Sequence, residues 1–401
     1  MRCLLPFLLL ALPLAWLPAP LRAQGGASTT KKSAAARPFA NGLPTDPKFF
    51  PLAVWLQPPH LAPRYRELGI NMYVGLWDGP TVPQLAALEQ AGMLTICAQN
   101  PVGLAHRGKA IVGWMHGDEP DNAQPGKLGY GPPIAPHVVV ADYERLRKAD
   151  PTRPVLLNLG QGVAWDGWHG RGPRTNHPED YPEYAKGCDL ASFDIYPVTH
   201  DKPAVAGKLE FVGKGVQRLV GWTQGKKPVF ACIETTHIQS ATLRPTPAQL
   251  RSEVWMAITC GADGIVYFAH EWQPKFHEAA LLSYPDITKA VQEVNAEVLA
   301  VAPLLNSPTL VDAVEVSARG TGSGEAAAEG EVAVLCKAAG RDLFVFAAAL
   351  QGTPVQATFT VKGKSSGKVV VQGEQRELKL DGGRFRDDFA GYGIHHYRIV
   401  R

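Results

Sequence analysis

The chain has 401 residues, 40 basic and 37 acidic side chains and a formal net charge of +3. That near balance, with no basic stripe and no interleaving of aromatic and basic residues, argues against a nucleic-acid partner. Of six cysteines, Cys3 lies in the N-terminal segment that reads as a signal peptide; the remaining Cys97, Cys188, Cys232, Cys260 and Cys336 are an odd set lying mostly in apolar runs, and no C-x-x-C pair occurs, which argues against a disulfide framework and a cysteine zinc site.

Residues 1–23 read as a signal peptide. Arg2 opens it, Leu4–Leu17 is its apolar core and Leu21-Arg22-Ala23 its cleavage end. The core is too short and too broken by proline for a membrane span, so the expected location is secreted or periplasmic, without stable membrane insertion after cleavage. The alternative is an uncleaved N-terminal anchor. Residues 24–45 read as a disordered linker, because Gly25–Phe39 is rich in Ala, Ser, Thr and Lys without apolar period.

From Pro51 the chain alternates β-rich runs with helical patterns. The runs are Leu52–Gln57, Ile70–Trp77, Met93–Asn100, Ile111–His116, Val155–Leu159, Leu190–Val198, Pro228–Glu234 and Gly264–Ala269. Helical patterns cover His60–Leu68, Val82–Ala91, Val138–Ala149, a short piece near Glu183, part of Leu209–Gly225, Pro247–Gly261 and Ile287–Leu305. The runs are apolar on both faces, as in a covered parallel sheet. Eight such units predict a (β/α)₈ TIM barrel over residues 46–307. A doubly wound open sheet is the competitor, but no glycine-rich phosphate turn follows the first run. After Pro308 the texture changes to short, partly alternating strands, and residues 308–401 read as a small all-β sandwich domain. Gly320–Gly330 reads as a surface loop within it. This domain braces the barrel or binds glycan, and bracing fits better because Tyr392 and Tyr397 are its only marked aromatics.

Within IVGWMHGDEPDN, the fourth run ends abruptly at Gly117, and Pro120 cannot continue a strand. Glu119 is thereby placed at the C-terminal rim of the barrel, where ligands bind. The seventh run, in ACIETTH, delivers Glu234 to the same rim. Cleavage of a glycosidic bond needs two flanking carboxyl groups, one protonated and one ionised, roughly 5–5.5 Å apart in retaining enzymes. In GDEP, IYP and IET, and in its strand order, the stretch from Pro51 to Leu305 resembles a clan A retaining glycoside hydrolase. The resemblance implies Glu119 as acid/base and Glu234 as nucleophile. It implies that Tyr196 hydrogen-bonds the nucleophile and that Trp272 forms a sugar platform. Asp118 stands where many clan members carry an asparagine that binds the sugar 2-hydroxyl; aspartate can accept from that hydroxyl but not donate to it.

Trp55, Trp77, Trp114, Trp165, Trp168 and Trp272 lie within or beyond the predicted strands. Half of the six are expected to meet sugar faces, while Trp222 and Trp255, on helices, are expected to be structural. His116, His237, His270 and Glu271 cluster with Asp118 at the predicted rim, as hydroxyl partners or as groups orienting the carboxylates. Their spacing matches no metal motif, so neither metal nor cofactor is expected, and Glu271 is the substitute nucleophile should Glu234 be misplaced. Asp194 and Asp78 are further rim acids without an assigned role. The predicted function is an exported β-glycosidase or endoglycanase acting on carbohydrate by double displacement. Its rivals are a non-catalytic carbohydrate-binding barrel and a metal-dependent deacetylase. The oligomeric state is not legible.

Overall fold

A computed structural model describes residues 39–127, 129–321 and 329–400. The expected signal peptide and most of the expected linker lie outside the described residues. Eight parallel strands close into a barrel: β1 (Leu52–Trp55), β2 (Met72–Val74), β3 (Leu94–Ala98), β4 (Ile111–Met115), β5 (Val155–Leu159), β6 (Leu190–Phe193), β7 (Val229–Glu234) and β8 (Gly264–Phe268). Closure is direct, since β1 pairs with both β8 and β2. This excludes the doubly wound sheet.

The helices are α1 (Ala62–Glu67), α2 (Val82–Ala91), α3 (Pro101–Ala105), α4 (Pro136–Ala149), α5 (Tyr181–Tyr184), α6 (Glu210–Trp222), α7 (Pro247–Thr259), α8 (Pro285–Ala300) and α9 (Ala302–Leu305). Thr81 and Thr246 open α2 and α7 with capping boxes whose partners are Gln84 and Gln249. Two differences from expectation have local causes. The Ile287–Leu305 pattern is two helices, because Pro303 lacks an N–H and opens α9 instead of extending α8. The unforeseen α3 is started by Asn100, whose side chain accepts from the Gly103 N–H at 2.8 Å, with Pro101 next.

Side-chain alternation divides the strands into two layers. Ala53, Trp55, Met72, Val74, Ile96, Leu156, Leu190, Phe230, Cys232 and Val266 fill the barrel. Leu52, Val54, Tyr73, Val155, Leu157, Phe193, Ala231 and Tyr267 meet the helices. All five described cysteines are free thiols. Among the described residues no helix is long and apolar enough to cross a membrane.

The second unit is a nine-stranded sheet. Its strands are β9 (Val314–Gly320), β10 (Glu329–Gly330), β11 (Val332–Ala339), β12 (Asp342–Ala349), β13 (Val355–Val361), β14 (Ser366–Val371), β15 (Arg376–Asp381), β16 (Arg384–Phe389) and β17 (Ile394–Ile399). The order is β10-β9-β13-β16-β15-β14-β17-β12-β11. The sheet curls into a sandwich-like unit, and the Leu310 N–H reaches the Cys336 carbonyl at 2.9 Å. The expected loop Gly320–Gly330 is a ladder at both ends, pairing Ala318 with Gly330 and Arg319 with Glu329. Strand β16 was hidden by its charges: Arg384, Arg386 and Asp388 point outward, while Phe385 and Phe389 enter the core.

This unit is docked on the barrel, as the bracing reading expects. Trp255 of α7 stacks on Phe346 at 5.6 Å and meets His396 edge-on at 4.1 Å. Lys337, buried, donates to the carbonyls of Leu305 at 2.7 Å and Ser307 at 2.6 Å, at the C-terminal end of α9. Replacing Lys337 with alanine leaves those carbonyls without their cation. The expected cost is about 2–3 kcal/mol, read as a lower urea midpoint at unchanged slope.

Candidate active site

The rim is shaped first by an irregularity in β4. Thr95 pairs with Ile111, but the next residue, Ile96, pairs with Gly113. One extra residue on β4 makes a bulge and reverses the alternation beyond it. Gly113 now faces inward, where an added Cβ would stand 2.9 Å from Ile96. Trp114 and His116 are turned outward.

The chain then breaks into the Gly117–Asp121 loop. Glu119 has φ 43°, left-handed backbone that costs a non-glycine residue about 1–3 kcal/mol. Pro120 already denies it ordinary helical geometry. The strain is held by the Glu119 carbonyl, which accepts from Asn122 N–H at 3.0 Å and from Gln124 Nε2 at 3.3 Å. Gly160 gives the Glu119 carboxyl room, since a Cβ there would lie 2.8 Å from Oε1. Asp121 does not reach the cleft; it is buried and braces this loop by accepting from Gly160 N–H and the Tyr181 hydroxyl, both at 2.9 Å.

Glu119 meets Asp194, the first residue after β6. Their carboxyls lie within hydrogen-bonding reach of each other, and the Tyr196 hydroxyl reaches Asp194 as well. Asp194 Oδ1 is buried without a geometric hydrogen-bond partner. Asp118 stands beside the pair and accepts from Asn158 Nδ2 at 2.9 Å, while Asn158 Oδ1 accepts from Ser192 Oγ at 2.8 Å. Those two bonds settle which way the Asn158 amide points.

Burial is the largest influence on all three acids, and their mutual repulsion adds to it. Glu119 is pushed well above the ordinary carboxylate range, and Asp194 is raised with it. Asp118 has solvent-accessible surface in the cleft yet is enclosed by its walls; burial raises it, the Asn158 bond opposes that, and the outcome is about 6. The site therefore retains protons near neutral pH, and Glu119 holds its proton most firmly.

These acids line one side of a cleft of about 320 Å³. The other walls are aromatic, with Trp55, Trp77, Trp168, Trp272, Tyr196 and Phe268, joined by His270, Gln161 and Gln239. Trp77 and Trp272 are each 46% exposed and flank His270 at 6.1 Å. His270 contacts the Leu56 carbonyl through Nε2 at 3.2 Å, and burial pushes it down to about 4, so it is neutral. Gln161, Trp168, Phe268 and Gln239 lie in loops or at a strand end and carry no sequence motif. A larger groove of about 550 Å³ between α2 and α3 is mainly apolar and carries no comparable cluster of acids.

Several expected site residues are elsewhere. Glu234, expected as the nucleophile, is fully buried and does not line the cleft; its carboxylate accepts from the N–H groups of Val198 at 2.6 Å and Thr199 at 3.1 Å. It has inward parity on β7, but those two donors draw it sideways into the β6 loop. Trp114, turned outward by the bulge, is buried against the helices and donates to Asp150 Oδ2 at 3.0 Å. His116 bridges Asp142 at 2.9 Å and the Gly187 carbonyl at 2.8 Å and does not line the cleft. His237 and Glu271 are spent on each other at 2.8 Å, and Tyr284 also donates to Glu271. Burial opposes ionisation of Glu271, but the Tyr284 and His237 bonds outweigh it and hold the carboxyl below its ordinary value. Glu271 therefore does not replace Glu234 in the cleft. Trp165 packs on Trp168 behind the wall at 6.2 Å. Among the described residues, no group of three or more His, Cys, Asp or Glu is placed to hold a metal ion.

Two outcomes follow from this geometry. Gly160 has φ −80°, which alanine adopts without backbone strain, so Gly160→Ala should act through its Cβ, displacing the Glu119 carboxyl and the Asn122 amide, each 2.8 Å away, at a cost of about 1–3 kcal/mol in stability. Turnover should fall about 10- to 100-fold, measured with any substrate found active. The second outcome concerns pH. A carboxyl raised on folding contributes stability that is fully present below its unfolded value near ~4 and is lost as pH climbs through the folded value. For Asp118 that value is about 6, so denaturation midpoints should fall between about pH 4 and 7. Asp118→Asn should flatten that fall.

Comparison with known proteins agrees with this architecture. Residues 136–301 match a glycoside hydrolase family model described as beta-galactosidase. The match runs from α4 into the end of α8 and contains Asn158, Asp194 and Tyr196, but covers less than half of the chain. Among curated proteins none matches. Solved structures with similar folds include AmyP in complex with maltose (10% identity, 88% of this chain and 96% of that one, TM-score 0.49). They also include the alpha-L-arabinofuranosidase from Thermotoga maritima (11%, 85% and 89%, TM-score 0.44) and the endo-beta-1,4-mannanase from Thermotoga petrophila (11%, 86% and 92%, TM-score 0.43). With a closed eight-stranded barrel, its acids at the C-terminal rim and the family match over the second half of that barrel, the chain is a glycosidase similar to the clan A glycoside hydrolases.

Proposed function

We propose that this glycosidase is exported and cleaves an uncharged poly- or oligosaccharide, with Glu119 as the proton donor to the leaving oxygen. The observation that carries the proposal is the contact between Glu119 and Asp194 beside tryptophan walls in one cleft. Export rests on the N-terminal segment Arg2–Ala23.

Protonation of the glycosidic oxygen needs an acid that is still protonated at working pH. Glu119 meets that need because burial and the Asp194 charge both oppose its ionisation. As Glu119 gives up its proton, Asp194 is the nearby carboxylate that faces the positive charge developing on the sugar ring. A pair in direct contact is closer than the roughly 5–5.5 Å of a resting retaining pair, so the sugar must enter between them or displace one. Asp118, Gln161 and Gln239 are available to the hydroxyl groups, and the exposed faces of Trp77 and Trp272 to the apolar faces of the rings. The clan resemblance ties retention of configuration to a Glu234 nucleophile, which does not line this cleft, so retention here requires Asp194 in that role. Proton NMR of the first product released reads it directly.

Glu119→Gln should lower turnover of natural glycans about 100- to 10,000-fold and that of aryl glycosides with good leaving groups far less. An unchanged rate on both would overturn the assignment. Three acids and no lysine or arginine line the cleft, so acidic glycans meet repulsion without a partner. In a screen of polysaccharides, neutral ones should be cleaved and polyuronates left intact; release of sugars from a polyuronate would refute this.

A further inference from the structure

Glu234 and Glu253 take no part in the chemistry above, yet both are completely buried in the barrel wall. Glu253, on α7, has neither side-chain oxygen in a geometric hydrogen bond. Its carboxyl lies within hydrogen-bonding reach of Glu234. Two carboxylates cannot both stay ionised in so dry a place. Burial, and then the Glu234 charge, push Glu253 far above its ordinary range. Glu253 therefore keeps its proton and donates it to Glu234, which satisfies a group otherwise without a partner.

Glu234 also accepts from two backbone donors. The N–H of Val198 donates at 2.6 Å and that of Thr199 at 3.1 Å. These donors sit in the middle of the segment 194–202, which supplies the cleft. Asp194 and Tyr196 precede them. His200 follows, with Nδ1 accepting from the Lys202 N–H at 3.0 Å. That bond puts the ring proton on Nε2, which donates to Gln161 Oε1 at 2.7 Å. Gln161 must then present its amide N–H groups elsewhere, and it lines the cleft.

We propose that Glu234 is a positioning residue: its buried carboxylate, held by the proton of Glu253, clamps Val198 and Thr199 so that Asp194, Tyr196 and His200 sit in register with Glu119 and Gln161. The kinetic consequences rest on the glycosidase reading; the clamp itself does not.

Amide hydrogen exchange and kinetics on the full chain test it together. Glutamine at position 234 offers one acceptor oxygen where the carboxylate offers two. Glu234→Gln should speed exchange at the Val198 and Thr199 amides at least about 10-fold, and lower kcat/KM about 10- to 100-fold with part of the loss in KM. Glu253→Gln keeps a donor toward Glu234, so exchange at those amides and activity should both stay within about 2-fold of the parent. Glu253→Leu removes the donor and should reproduce the faster exchange. Unchanged exchange at Val198 and Thr199 in Glu234→Gln would overturn the clamp. Complete loss of turnover with those amides still protected would overturn it in favour of a catalytic Glu234. Should the parent protein cleave no glycoside, the glycosidase reading fails, and the exchange measurements still decide the clamp.

Discussion

Like charges brought together out of water are the constraint on which this site depends. β4 and β6 deliver Asp118, Glu119 and Asp194 to one pocket, and no cation lines it. Such a group persists only by keeping protons that isolated carboxyls would lose. The local structure is arranged to tolerate that. Asn158, fixed by Ser192, stabilises charge on Asp118 and leaves the proton on Glu119. The left-handed backbone at Glu119 and the missing side chain at Gly160 let that carboxyl reach Asp194. Stability is given up at this rim and recovered in the barrel layers and in the docked β unit, where Trp255 and Lys337 join the two.

The architecture was largely legible in the chain because it is written in local patterns. Alternating apolar runs and capping signals located all eight strands; the strand Val155–Leu159 and the helix Val82–Ala91 match to the residue. The acid at the end of the fourth run was legible for the same reason: a proline directly after a glutamate stops a strand at a predictable place. What was not legible depended on a one-residue bulge. Period-two reasoning projects Trp114 and His116 inward from Val112, and the extra residue between Ile111 and Gly113 reverses that. Sequence carries no mark for it beyond Gly113 itself, whose role is plain only once Ile96 is seen against it.

Residue type misled in a second way. Tryptophan and histidine near a rim were read as ligand contacts, yet the outcome depended on what stood behind each ring. Trp77 and Trp272 have no polar partner competing for them and remain half-exposed. Trp114 has Asp150 at its indole nitrogen, and His116 has Asp142 and a carbonyl at its two nitrogens. A side chain whose hydrogen bonds are all satisfied inside the wall has nothing left to offer a sugar. Asp194 is the converse case. It lay in FDIYP without a role, and its importance comes from an oxygen left unpartnered beside Glu119.

The chain thus contains two carboxyl pairs built on the same physics and put to different uses. In each, burial forces one member to keep a proton that it shares with its neighbour. Glu119 and Asp194 face a cleft, so an incoming oxygen can compete for that proton, which is the chemistry proposed for Glu119. Glu234 and Glu253 face only protein, and Glu234 also accepts from two backbone N–H groups. Nothing can enter to take the proton, so the pair acts as a fastening. Access, rather than acidity, separates the two roles. A glutamate at the end of the seventh strand can therefore match a catalytic pattern in sequence while its carboxylate holds the neighbouring loop in place.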